Sequence, residues 1–134
     1  MTTPGKFALA LFAGYALLAG RAYGSDGNPG RAAYFAYCSR CHGADGRGGG
    51  KAARGGQPKA SDLTQLARKN GGTFPAAQVT QIIDGRRSIA AHGSSKMPVW
   101  GRVFTQEQTA ETPEAHAHSQ VQIIVDYLRS IQTK

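Results

Sequence analysis

Cys38-Ser39-Arg40-Cys41-His42 (CSRCH) holds both cysteines of the 134-residue chain, separated by two residues and followed at once by an imidazole. On a helix two thiols so spaced stand about one turn apart and leave from the same side. Three uses of such a pair are weak here. A thioredoxin-type C-x-x-C follows a strand in an α/β fold, and no segment of this chain alternates with period two over a useful length. Structural zinc needs further Cys or His at ligand spacing, and no third cysteine exists. A plain disulfide is open to an exported chain, but bridging residues three apart closes a tiny loop and stabilises little.

The fourth use includes the histidine. C-x-x-C-H is the attachment sequence for c-type haem. Cys38 and Cys41 can add to the two vinyl groups at one porphyrin edge, which fixes His42 over the iron as proximal ligand. Thioether bonds resist dissociation, an advantage for a protein that leaves the cell. One haem c with its iron also supplies what the composition lacks. With 40% hydrophobic and 8% aromatic residues the protein's own core is thin, and a chain this short usually needs a metal, a disulfide or a large cofactor as a staple.

Outward from the motif, the N-terminus sets the compartment. Met1 to Lys6 carries one cation, and Phe7 to Gly20 (FALALFAGYALLAG) is an apolar run of 14 residues. That suits the h-region of a secretory signal and falls short of the ~20 residues of a membrane span. Cleavage after Gly24 would leave small residues at −3 and −1, so residues 1–24 are expected to be a signal peptide and 25–134 the functional domain; an uncleaved anchor is the alternative. The expected location is the periplasm or another exported compartment. Setting aside Lys6 and Arg21, both in the leader, lowers the formal charge from +8 to +6. A basic exported domain can meet an acidic protein or an anionic membrane surface; nothing in the chain reads as a nucleic-acid motif.

The rest reads as short helices and long connections. Asn28-Pro29 predicts an N-cap and first helical residue, with a helix running through Ala32, Ala33, Tyr34, Phe35 and Tyr37 towards Cys38. Gly43 to Gly56 is too glycine-rich for helix or strand. Ser61 is expected to cap a short helix over Asp62 to Lys69, with Gly71 past its end. Thr73-Phe74-Pro75 opens a third helix whose Val79, Ile82 and Ile83 recur at i, i+3, i+4 before Gly85 stops it. Arg86 to Gly101 shows no period, and Thr105 to Ser119 is polar and expected to be loop. A last helix is expected from about Gln120 to Ile131, striped by Val121, Ile124, Val125, Leu128 and Ile131. The fold class is all-α, with long loops wrapped around a buried prosthetic group.

A six-coordinate iron needs a second axial ligand. Met97 stands before Pro98 in an aperiodic segment 55 residues beyond His42, far enough for a loop to cross to the other haem face. A lone Met is often core filler, but Met97 lies on no apolar helical face. His92 is the chief rival and would give bis-histidine ligation; His116 and His118 sit in the polar stretch and are expected to be solvated surface residues.

These features resemble a class I c-type cytochrome, over nearly all of the chain beyond the leader, from Gly30 to Ile131. The resemblance implies that Gly30 and Tyr34, eight and four residues before Cys38, pack against the C-terminal helix at Ile124 and Tyr127. It also implies that Asp62-Leu63 lies on the proximal side and that Met97-Pro98-Val99-Trp100-Gly101 is the methionine loop. The family often carries a proline just before that Asp-Leu pair, whose carbonyl accepts the ligand His Nδ1–H; Ser61 stands there in this chain, with Pro58 further upstream.

Filling both axial positions from the protein leaves no open site for substrate, so the expected role is a single-electron carrier cycling Fe(II)/Fe(III) rather than an enzyme. Partners would be redox proteins with acidic docking surfaces. Arg40, Arg47, Lys51, Arg54, Lys59, Lys96 and Arg102 flank the haem-binding segments and form either an ordinary solvated surface or a steering rim. Two alternatives stay open: a haem c subunit of an oxidase or dehydrogenase, and a haem enzyme or gas sensor with a labile distal ligand.

Overall fold

The computed structural model describes residues 27–53, 60–87, 97–107 and 109–134. The leader, its cleavage site, His92, Arg54, Lys59 and Lys96 lie outside the described residues. Within them the chain forms α1 (Pro29–Tyr37), α2 (Ser39–His42), α3 (Leu66–Lys69), α4 (Ala76–Asp84), α5 (Trp100–Phe104) and α6 (Pro113–Ser130), with 3₁₀ turns at Lys51–Ala53 and Leu63–Gln65. There is no strand among the described residues, and the all-α expectation holds.

α1 starts as its sequence dictates. The Asn28 Oδ1 accepts the Arg31 N–H at 3.0 Å, and Pro29 fills the first helical position, where its missing N–H costs nothing. The helix does not simply stop at Cys38. The Cys38 N–H still bonds the Tyr34 carbonyl at 2.8 Å, and the Ser39 hydroxyl reaches back to the Phe35 carbonyl at 2.7 Å, so α2 follows almost without a break.

α6 is the hub, with α1, α4 and α5 all packed on it. Its inner face presents Ala117, Val121, Ile124, Val125 and Leu128, to which α4 adds Val79 and Ile83 and α5 adds Phe104. Tyr34, Phe104, Ile124 and Val125 are fully buried; side chains of this size stabilise by about 1.5–3 kcal/mol each when removed from water. α1 crosses α6 at Gly30, so closely that a Cβ there would run into the Ile123 carbonyl oxygen and lie 2.9 Å from the Tyr127 Cβ. The Tyr34 and Tyr127 rings meet beside the crossing at 5.2 Å. Of the four residues that the family resemblance assigned to this contact, Gly30, Tyr34 and Tyr127 meet there, with Ile123 as the backbone neighbour of Gly30, while Ile124 is buried in the same apolar cluster as Tyr34.

Three local expectations are corrected. Thr105 to Ser119 is not loop throughout: Thr112 caps α6 by accepting the Ala115 N–H at 3.3 Å, Pro113 opens it, and residues 113–119 are its first two turns. Asp62, not Ser61, caps the turn that follows it, because its carboxylate accepts the Thr64 N–H at 2.9 Å. The glycine-rich stretch contains a 3₁₀ turn at Lys51–Ala53. α4 ends as expected, at Gly85 in the left-handed conformation with φ 87°.

Candidate functional site

α2 carries the C-x-x-C-H motif at the end of α1, and three contacts fix it there. The Tyr34 hydroxyl donates to the Gly43 carbonyl at 2.6 Å; burial raises the phenol pKa, which keeps this proton in place. The glycine loop then folds back under the motif. Gly48 N–H donates to the His42 carbonyl at 2.7 Å and Gly50 N–H to the Cys41 carbonyl at 3.2 Å, satisfying acceptors that a helix end leaves open. Gly48 has φ 85°, and a Cβ on it would collide with the Ala60 carbonyl oxygen. Glycine is therefore required where the loop passes the segment that follows it.

His42 is buried, 7% exposed, and its Nδ1 lies 3.0 Å from the Ser61 carbonyl oxygen. A carbonyl only accepts, so Nδ1 is the protonated nitrogen and the ring's lone pair sits on Nε2, the arrangement of an iron-binding imidazole. The absence of the family's proline is thereby resolved, since the Ser61 backbone makes the bond. Two further ties hold that carbonyl. The Asp62 carboxylate accepts from both the N–H and the hydroxyl of Thr64, at 2.9 and 2.6 Å, which holds its pKa below the ordinary range. Leu63 N–H donates to the Gly46 carbonyl at 2.7 Å.

Cys38 is half-buried against the core, and Cys41 is exposed. Burial, and then the neighbouring Cys41, pushes the Cys38 thiol up to about 12. Met97 is also half-buried and packs on the same apolar cluster as Cys38, ahead of the exposed Pro98 and Val99. The donor set is thus two thiols on one turn, an imidazole held by a carbonyl, and a thioether from a distant segment on the same core. It fits haem c: the thiols would provide attachment, and the imidazole and thioether are groups that could ligate its iron. Among the described residues no group of three or more His, Cys, Asp or Glu could hold a metal ion by itself.

One polar cluster escaped the sequence reading. His116 is not a surface residue: it is 9% exposed, and its Nε2 lies 2.8 Å from the Glu107 carboxylate. The other Glu107 oxygen accepts the Tyr37 hydroxyl at 2.8 Å, and these two bonds lower the Glu107 pKa. Tyr37 precedes Cys38 and meets Trp100 and Phe104 edge-on, at 5.4 and 5.0 Å. The cluster therefore ties α6 and the end of α5 to the start of the motif. His118 is exposed, as expected.

A family model described as cytochrome c oxidase, cbb3-type, subunit III matches residues 25–112, a span that includes Cys38, Cys41, His42 and Met97. The chain belongs to this family. It is a class I c-type cytochrome, and its cofactor is covalently bound haem c with iron. No curated protein and no solved structure matches the chain. The family match stops just before α6, which nonetheless supplies the surface that Gly30 and Tyr34 pack against. No described helix is long and apolar enough to cross a membrane.

Proposed function

We propose that this cytochrome carries single electrons between exported redox partners, with Cys38 and Cys41 as the haem thioethers, His42 as proximal and Met97 as distal iron ligand. The observation that carries the reading is the 3.0 Å bond from His42 to the Ser61 carbonyl, which sets the ring nitrogen used for ligation. When bound, haem iron supplies one-electron Fe(II)/Fe(III) chemistry. His42 contributes a basic, oriented imidazole, and Met97 a soft thioether that favours the ferrous state and raises the potential. With His42 and Met97 both on the iron, an exogenous ligand would have to displace Met97 to bind. Carbon monoxide tests this: the reduced protein should bind it slowly and incompletely, and rapid full binding would replace the carrier by a sensor or enzyme with a labile ligand.

Residues 1–24 act as a cleaved signal in this reading and 25–134 as the cytochrome domain, so the mature chain should begin near Ser25 in mass spectra. Arg40, Arg47, Lys51 and Arg102 are exposed and suit an acidic partner. Electron transfer should then slow as ionic strength rises, and a rate indifferent to salt would remove the steering role. A second reading rests on the oxidase-subunit description of the family: the same chemistry within a larger oxidase complex. Co-purification of large haem-containing subunits with the tagged chain would favour it over a diffusing carrier.

A further inference from the structure

Beyond α6 the last residues do not trail away. Gln132 Nε2 donates to the Leu63 carbonyl at 2.8 Å and to the Leu128 carbonyl at 2.7 Å, while its Oε1 accepts the Ala67 N–H at 2.9 Å. Thr133 N–H donates to the Thr64 carbonyl at 2.9 Å. Its hydroxyl adds a bond to the same carbonyl at 3.1 Å and accepts from Gln65 Nε2 at 2.6 Å. Every one of these bonds outside α6 lands on residues 63–67, immediately after the Ser61 carbonyl that holds His42.

We infer that Gln132 and Thr133 are positioning residues for the proximal ligand: the C-terminal strap fixes the 63–67 segment and, through it, the Ser61 carbonyl against His42 Nδ1. Ser61 lies in no helix, so its carbonyl is placed by what anchors its neighbours. Asp62 ties the segment to itself and Leu63 ties it to the glycine loop. Leu63 and Leu66 pack on the core cluster, and among the hydrogen bonds of the described residues it is the strap that ties the segment to the end of α6, the element on which the rest of the fold is packed. A bond from the ligand imidazole to a carbonyl raises the basicity of the ring and stabilises the oxidised metal. Loosening the strap should weaken that bond, free the Nδ1 proton for exchange and favour the reduced state. The inference rests on the reading of His42 as iron ligand.

The test uses the oxidised holoprotein, following solvent exchange of the hyperfine-shifted His42 ring N–H by proton NMR and the reduction potential by voltammetry. Gln132→Leu removes all three side-chain bonds while keeping an apolar stem. It should accelerate the exchange by roughly tenfold through local opening and shift the redox equilibrium severalfold towards the reduced form; tenfold corresponds to about 59 mV for a one-electron couple. Thr133→Val keeps the N–H bond to Thr64 and should move both quantities the same way by less, which carries the test if Gln132→Leu does not fold. Thr112→Ala, at the other end of α6, should lower stability and leave both readouts in place. Unchanged exchange and potential in the strap variants would overturn the inference, as would equal changes in Thr112→Ala. A wild-type spectrum with no hyperfine-shifted imidazole N–H would instead overturn the ligand assignment itself, and the inference with it.

Discussion

Replacing Gly30 by alanine measures how much of this fold depends on the approach of α1 to α6. In an ordinary helix interior the change would stabilise, by about 0.5–1 kcal/mol, because alanine has less backbone freedom to lose. Here the new methyl group meets the Ile123 carbonyl oxygen far inside contact distance, with the Ile123 carbonyl carbon at 3.0 Å and the Tyr127 Cβ at 2.9 Å. These are backbone and near-backbone atoms of a long helix and cannot swing aside as the end of a flexible side chain would. The helices must separate, and the contact of Tyr34 with Tyr127 opens with them. Overpacking costs about 1–3 kcal/mol in typical cores, and a rigid obstacle belongs at or above the top of that range. Set against the helix gain, a net loss of about 2–3 kcal/mol follows, or roughly 10–20 °C in Tm for a domain near 100 residues. Guanidinium and thermal unfolding of the holoprotein, followed by far-ultraviolet circular dichroism, would show it. Gly49→Ala is the control, since nothing lies within 4 Å of a Cβ there; it should stay within about 0.5 kcal/mol of wild type. A Gly30→Ala protein as stable as wild type would refute the close crossing.

Glu107→Gln should cost about 1 kcal/mol at neutral pH, a charge-assisted bond discounted for partial exposure. The sign follows from the lowered Glu107 pKa: its contribution is present above the ordinary carboxylate value of about 4.3 and is lost as pH falls through the lower native one. The gap between variant and wild type in unfolding experiments should therefore close below about pH 4, and a gap constant with pH would count against the cluster. Met97→His should retain a six-coordinate low-spin haem and lower the potential measured by voltammetry, since it exchanges thioether for imidazole; an unchanged potential would remove Met97 from the iron.

What could be read from the sequence divides by the range of the interactions. Local signals carried furthest: Asn28-Pro29 opens α1, Gly85 ends α4, and the apolar stripe of α6 faces the core. The first two turns of α6 were misread because Glu114 to Ser119 is polar in composition, although Thr112-Pro113 offers the same cap-and-proline signal that located α1. Ala117 also extends the stripe of Val121, Ile124 and Leu128 by one further turn. His116 then lies at the buried edge of the helix, where it needs Glu107, and a residue nine positions away across a turn is not visible as a partner in sequence. Ser61 is the cap expected from the sequence, but its carbonyl lies against His42 while the Asp62 carboxylate caps the turn at Thr64, a tertiary outcome with no local signal. The strap of Gln132 and Thr133 had no local signal, because its partners outside α6 are more than 60 residues distant.

The most direct test of the ligand pair is an absorption spectrum, recorded oxidised and reduced from the visible into the far red, on protein first denatured in a parallel sample to ask whether the haem stays with the chain. Haem that remains covalently bound after denaturation, together with a far-red thioether–ferric band that disappears in Met97→His, is the predicted result. Haem that extracts freely, or an oxidised protein with no such band, would contradict attachment at Cys38 and Cys41 in the first case and ligation by Met97 in the second.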